Sequence, residues 1–351
     1  MVPISGKDAL LKVANLLGEW LKASENEVRL RNDHYDTRID GHISVGNHDF
    51  SIEIKANSSS AHVSSAIQCL KSLALLVEGS AIPLVVVPFM GEVGRKLCKE
   101  GGISWVDLSG NADISAPNLR ILIDGRPNRF KRPGRPSNPF APKSSRIARW
   151  LLIHADKGMS QRELALNTDM DEGFTSRIIS RLEDEGLVAR ENDGSIRVPD
   201  PNLLLDSWRE TYDFKKHQIL KGHIAERSSN EILYKIPTLL IKNNMSHAAT
   251  GLGAAWLYTR YTGFRIVTFY LKSLPSADLI KKLGFREEPR GSNVWIVIPQ
   301  DEGVFQGSKQ VGGIRCVHPV QAYLDLFGHP ERAKEAAENI RQELLKWNNY
   351  A

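Results

Sequence analysis

The apolar positions of residues 6 to 23, "GKDALLKVANLLGEWLKA", recur at a helical interval and predict an opening amphipathic helix. The period then drops to two. "EVRLR" alternates as a strand, and "DTRIDGHISVGNHDFSIEIKAN" reads as a hairpin. A helix from about 60 to 78, a Val-rich strand in "IPLVVVPF", a helix from 91 to 100 and short strands in "ISWVDLS" and "ADISA" follow. An antiparallel hairpin followed by a helix and a buried strand predicts an α/β core with a mixed sheet over residues 1–125.

The second arm of that hairpin, "FSIEIKAN", carries chemistry. Successive strand side chains point to opposite faces, so Phe50, Ile52 and Ile54 share one face while Ser51, Glu53 and Lys55 share the other. Two readings stand open. One is a half-buried strand with an opposite-charge neighbour pair on its outer face; the other is a metal site, Glu53 binding a divalent cation and Lys55 holding a phosphate. Asp40 precedes Glu53 by thirteen residues, across the hairpin, and can converge with it at one end of the sheet. A second feature, "GISWVDLSGNADIS", is either a hairpin turning at "SGN" or a strand end that lends Asp107 or Asn111 to a metal or DNA surface.

Beyond residue 125 the pattern changes. Residues 126 to 149, "RPNRFKRPGRPSNPFAPKSSRIAR", hold eight Arg or Lys, no Asp or Glu, and five prolines. The net charge of +5 is therefore local, and the rest of the chain sums to +5 minus 8, or −3. The prolines exclude a regular helix, so residues 126–143 read as an extended linker whose Arg129, Lys131, Arg132 and Arg135 can lie along phosphates. Residues 144–200 then parse into three helices and a two-stranded wing. Ile147, Leu151 and Leu152 mark the first helix, and Ser160 with Glu163 forms a capping box for the second. Phe174, Ile178 and Leu182, with Ile179 beside them, are the expected core stripe of the third. Its other face presents Thr175, Ser176, Arg177, Ser180 and Arg181 to a major groove, and the wing adds Arg190 and Arg197.

Residues 201–351 hold a small-residue helix ("SHAATGLGAAWLYTRYT"), strands ("RIVTFYL", "NVWIVIP") and a long closing helix ("HPERAKEAAENIRQELLKWNN") with Pro330 near its first turn. His318 and His329 read as capping or packing histidines. The glycines there lack the spacing of a phosphate loop.

Composition narrows the classes. A chain of 351 residues implies two or three domains, and 25% charged with 41% hydrophobic residues is ordinary for a soluble globular protein. No run of about 18 apolar residues exists and the N-terminal pattern is not a signal peptide, so the expectation is a cytoplasmic protein without a membrane role. Three scattered cysteines, Cys69, Cys98 and Cys316, fit reduced thiols.

Three resemblances follow from these residues. "RIDG", then "IEIKA", then a helix carrying Gln68 is similar to the PD-(D/E)XK nuclease-like superfamily. That likeness implies a restriction-endonuclease-like mixed sheet in which Asp40 and Glu53 bind Mg²⁺ or Mn²⁺, Lys55 orients the attacking water, Gln68 assists, and Glu27 or Glu19 adds an acid. The segment ending "SRLEDEGLVAR" before the wing resembles the winged helix-turn-helix of bacterial transcriptional regulators. "GIRCVHPVQAYLDLFGHPERAKEAAENIRQELL", with "AATGLGAAWLYTRYT" and the winged helix upstream, resembles the AbiEi-type antitoxins of type IV toxin-antitoxin systems in phage defence, over residues 145–351. It implies a C-terminal α/β domain of nucleotidyltransferase-like shape and repression of the protein's own operon on double-stranded DNA. A cognate toxin or neighbouring gene product and a homodimer are the implied partners. The expected function is a DNA-binding transcriptional regulator; the alternative is a metal-dependent DNA endonuclease targeted by the winged helix.

Overall fold

The computed structural model describes residues 6–31, 39–74, 81–130, 138–288 and 290–347, and every count below is of those. The chain forms two compact units, residues 1–136 and 137–351, so the unit boundary falls inside the Pro-rich segment.

In the first unit α1 (Gly6–Leu21) precedes β1 (Val28–Arg31), β2 (Gly41–Val45) and β3 (His48–Ile54). Then come α2 (Ser60–Ala74), β4 (Ile82–Val87), α3 (Glu92–Gly101), β5 (Ser104–Asp107), β6 (Ala112–Ala116) and β7 (Leu119–Ile123). The strands lie side by side in chain order. β1 to β3 form an antiparallel meander, β3, β4 and β5 are parallel, and β5 to β7 are antiparallel again. Alternation decides which layer each residue joins. Phe50, Ile52, Leu84 and Val86 pack with Val13 and Leu17 of α1, whereas Val85 and Val87 pack with Val63, Ile67 and Leu70 of α2 and with Cys98 of α3. Cover on both faces is why β4 is an unbroken apolar run. The sequence reading missed β7. It is an edge strand reached by a two-residue turn at Pro117 and Asn118, the latter at φ 63°, and its Leu122 is exposed.

The second unit begins with α4 (Ser145–Ile153), α5 (Gln161–Thr168), α6 (Glu172–Asp184) and a wing of β8 (Ala189–Arg190) and β9 (Ile196–Arg197). The expected capping box is present: the Ser160 hydroxyl accepts from the Glu163 amide, and the Glu163 carboxylate accepts from the Ser160 amide. Ile147, Leu151, Leu164, Ile178, Leu182 and Ile196 are buried. The C-terminal region continues with α7 (Pro201–Thr211), β10 (Gln218–His223), α8 (Ser229–Lys242), β11 (His247–Thr250), α9 (Gly251–Thr259), β12 (Val267–Leu271) and α10 (Ala277–Leu283). It closes with β13 (Arg286–Glu287), β14 (Val294–Ile298), β15 (Lys309–Val311), β16 (Ile314–Cys316), α11 (Pro319–Leu326) and α12 (Ala333–Leu344). The mixed sheet runs β13-β10-β14-β12-β11-β16-β15.

The two faces of this sheet differ. Val267, Phe269, Leu271, Val294 and Ile296 join Ile232, Leu233 and Ile236 of α8 and Leu279 and Leu283 of α10 in an apolar core. Thr268, Tyr270 and Trp295, one residue out of phase, point to the opposite layer, where they meet His329, Phe214 and Asp325. Gly251 opens α9 at φ 59°, and a Cβ there would lie 2.5 Å from Nε2 of His329, so both conformation and space call for glycine.

The closing helix starts later than expected, at Ala333, leaving Pro330 outside it; the prolines at first turns are Pro201 of α7 and Pro319 of α11. His318 caps that helix by accepting from the Val320 amide, and His329 packs in the interior, its Nδ1 2.8 Å from the Asp325 carbonyl. Among the described residues no helix is long and apolar enough to cross a membrane.

Candidate functional site

The winged helix concentrates exposed polar groups on α6, but its register differs from expectation. Thr175 is fully buried and completes a core stripe with Ile178, Ile179 and Leu182, the i, i+3, i+4, i+7 pattern of an amphipathic helix. Phe174, expected in the core, is half-buried, with the Arg177 guanidinium 5.6 Å from its ring centroid. Thr175 therefore leaves the set of groove-facing residues, and its buried Oγ1 has no hydrogen-bond partner. Arg177 and Ser180 are exposed and Ser176 half-exposed.

The remaining arginines of this face already hold acids. Arg181 pairs with Glu185 at 3.1 Å, Arg190 with Glu183 at 3.3 Å, and Arg197 with Glu191 at 3.7 Å. Lys157, and Arg162 in the first turn of α5, are exposed cations that the sequence reading passed over because they lie off the third helix.

The basic segment divides into fates. Arg129 is exposed; Lys131, Arg132 and Arg135 lie outside the described residues. Arg146 and Arg149 turn inward: Arg146 makes a two-pronged pair with Asp301, at 2.7 and 2.9 Å, and Arg149 is 2% exposed and hydrogen-bonded to Gln321. Nor are residues 138–143 a free spacer, since Pro139 is buried and Phe140 stacks on Trp208, centroids 6.2 Å apart.

A second cluster lies at the end of β3. Lys55 Nζ is 2.7 Å from Glu53 Oε1, so the two share a face as alternation requires. That face is not an outer one: Glu53 is 7% exposed, and on the α2 side the thiol of Cys69 reaches its Oε2 at 3.7 Å. Burial raises the Glu53 carboxyl above its usual range, Lys55 opposes the rise, and Asp40 adds to it. Asp40 accepts the Ile54 amide at 2.6 Å and is thus held beside the strand that carries Glu53.

Gln68 does not join the cluster. It is exposed, one position before Cys69, the α2 residue that meets Glu53. A helix turns about 100° per residue, enough to send neighbours to different faces. Of the two further acids expected, Glu27 caps a turn by accepting from Ser24, and Glu19 is exposed on α1. Among the described residues no group of three or more His, Cys, Asp or Glu side chains is arranged to hold a metal. The strand end offers two carboxylates, a hard-oxygen set suited to Mg²⁺, an ion that keeps several waters and takes further oxygens from phosphates.

Asp107 and Asn111 serve structure. The fully buried Asp107 carboxylate accepts from the amides of Met90 and Asn111 and from Asn111 Nδ2, closing the β5–β6 turn. Asn111 in turn fixes residue 126, accepting from the Arg126 amide at 2.8 Å and donating to its carbonyl at 3.1 Å.

Comparison with known proteins gives two matches. Residues 197–346 match the family model described as "Transcriptional regulator, AbiEi antitoxin, Type IV TA system", and residues 145–207 match that of a "Crp-like helix-turn-helix domain". No curated protein and no solved structure matches the chain.

Proposed function

We propose that this chain is a DNA-binding transcriptional regulator of the AbiEi antitoxin type, a reading supported by the matches over its helix-turn-helix and its C-terminal region, and that it holds DNA as follows. Helix α6 enters the major groove of duplex DNA with Ser176, Arg177 and Ser180 toward base edges. Arg181, Arg190, Arg197 and Arg162 contact flanking phosphates, and Arg129, Lys131, Arg132 and Arg135 extend the contact along the backbone. The observation that carries the reading is the division of α6, with one stripe fully buried and the opposite one bearing Arg177 and Ser180 in solvent. The target is the promoter of the protein's own operon, bound as a homodimer on a two-fold site, and the regulated neighbour is a toxin. Titration of a fluorescent promoter fragment against excess unrelated duplex tests this. Arg177→Ala should cost about 1–3 kcal/mol of promoter affinity; equal affinity for promoter and unrelated duplex would overturn the proposal.

A second reading is favoured by the first unit. Its order α1-β1-β2-β3-α2-β4, with Asp40 leading into β2, Glu53 near the end of β3 and Lys55 just past it, supports a nuclease-like core. In that reading Asp40 and Glu53 would hold Mg²⁺ or Mn²⁺, which would supply charge neutralisation and an acidified water, and Lys55 would face the phosphate. Incubation with duplex DNA and Mg²⁺ beside Lys55→Ala tests it. Cutting lost in the variant supports it, and cutting that survives the change removes Lys55 from the chemistry.

A further inference from the structure

The second unit contains a buried polar chain that ends on the winged helix. Asp325 of α11 is fully buried and accepts four hydrogen bonds: from Thr250 Oγ1 and the Tyr212 hydroxyl at 2.5 Å each, from Gln321 Nε2 at 2.7 Å and from the Tyr270 hydroxyl at 3.0 Å. Gln321, one turn earlier on α11, directs its Oε1 to Arg149 of α4, which donates through Nη2 at 2.8 Å and Nε at 3.0 Å. The Arg149 guanidinium also lies 4.9 Å from the Trp208 ring centroid. No carboxylate stands within ion-pair distance of it among the described residues; Asp301 and Asp325 act on it from farther off, and Asp325 is linked to it through the Gln321 amide.

Three residues earlier on the same face of α4, Arg146 grips Asp301 with two hydrogen bonds and reaches the Thr168 carbonyl at the end of α5 at 3.2 Å. Both arginines come from the segment whose charge looks made for DNA, and both are committed to the C-terminal region. An apolar contact would seat α4 about as firmly, but buried charged and polar groups tolerate few arrangements, because each misalignment leaves a group unpaired.

We infer that Arg149, Gln321 and Asp325 are positioning residues for DNA recognition: through α4 they set the angle at which the C-terminal region presents α6 to the groove. The inference rests on the DNA-binding reading of α6 but is tested first without DNA. In full-length protein carrying Cys69→Ser, Ser180→Cys and Lys281→Cys, spin labels report the distance from α6 to α10. Gln321→Leu and Arg149→Met should each broaden or displace that distribution, and Arg149→Lys, which keeps a cationic donor for Gln321 Oε1, should restore part of it. The melting temperature of each variant checks that it is folded. Among folded variants, made without labels and with Ser180 intact, promoter affinity should fall about tenfold in Gln321→Leu, the loss of one good base contact, while affinity for unrelated duplex stays constant. A distance distribution that both variants leave unchanged overturns the inference, as does a parallel loss of promoter and unrelated-duplex binding. A wild-type protein without promoter preference would sink the regulator reading instead, and the distances would still judge the relay.

Discussion

Glu53 and Asp325 are both buried carboxylates between a sheet and a helix, and their partners could hardly differ more. Glu53 is neutralised by one cation, Lys55, whose side chain is 22% exposed, and touched by one thiol. Asp325 has no charged neighbour in direct contact; four neutral donors surround it, and burial still pushes its carboxyl up to about 6. The difference follows from location. A strand end lets a lysine keep its ammonium near water, and that ammonium can leave for a phosphate or give way to a cation. The middle of a covered sheet face has no such exit, so the carboxylate is tied by hydroxyls and an amide that cannot exchange without unfolding.

Three measurements break or sharpen this comparison. The largest effect of any single residue belongs to Asp325→Leu, which leaves Tyr212, Tyr270, Thr250 and Gln321 without their acceptor and should cost about 3–5 kcal/mol in denaturant unfolding. A loss under about 1 kcal/mol would show that the donors find other partners.

Acid comes next. Burial lowers His217, His318 and His329 of the same unit to about 4, so all three are neutral when folded and take up protons on unfolding between pH 6.5 and 4. The unfolded state binds more protons there, so stability falls with pH, by up to about 3 kcal/mol per histidine. Asp325, raised, acts in the opposite sense and adds stability below about pH 6, one group against three. The urea midpoint should therefore drop between pH 7 and pH 4.5; a midpoint that rises contradicts the assignment of three buried neutral imidazoles.

The smallest effect is at the strand end. Lys55→Met leaves Glu53 buried beside a thiol and should cost about 1–2 kcal/mol, whereas adding Glu53→Gln should recover part of it, a coupling of about 1 kcal/mol in a double-mutant cycle. No recovery would mean that Lys55 acts by packing.

Much of this architecture was legible because each signal was local. The shift from helical to alternating spacing near residue 27 marked the first layer, and the Ser160–Glu163 box marked the start of α5. What could not be read depended on contacts far along the chain. Thr175 passes for a surface hydroxyl until the core stripe is fixed, because threonine is small enough for either side. Cys69 and Gln68 are adjacent, and only the placement of α2 against β3 decides which meets Glu53. Arg146 and Arg149 resemble their basic neighbours, but their partners Asp301 and Gln321 lie more than 150 residues away. β7 was missed for another reason: one edge strand with half-exposed side chains carries a weak alternation, and its sign was the turn at Pro117 and Asn118.

The arginines of α6 and the wing carry one more consequence. In the proposed complex each of Arg181, Arg190 and Arg197 would arrive at DNA already holding a glutamate. When such an arginine turns to a phosphate, the DNA sheds a condensed cation, but the deserted carboxylate recruits one from solution. The two exchanges partly cancel, so the ions set free are fewer than the phosphates touched, and affinity declines with salt less steeply than a count of the basic residues suggests.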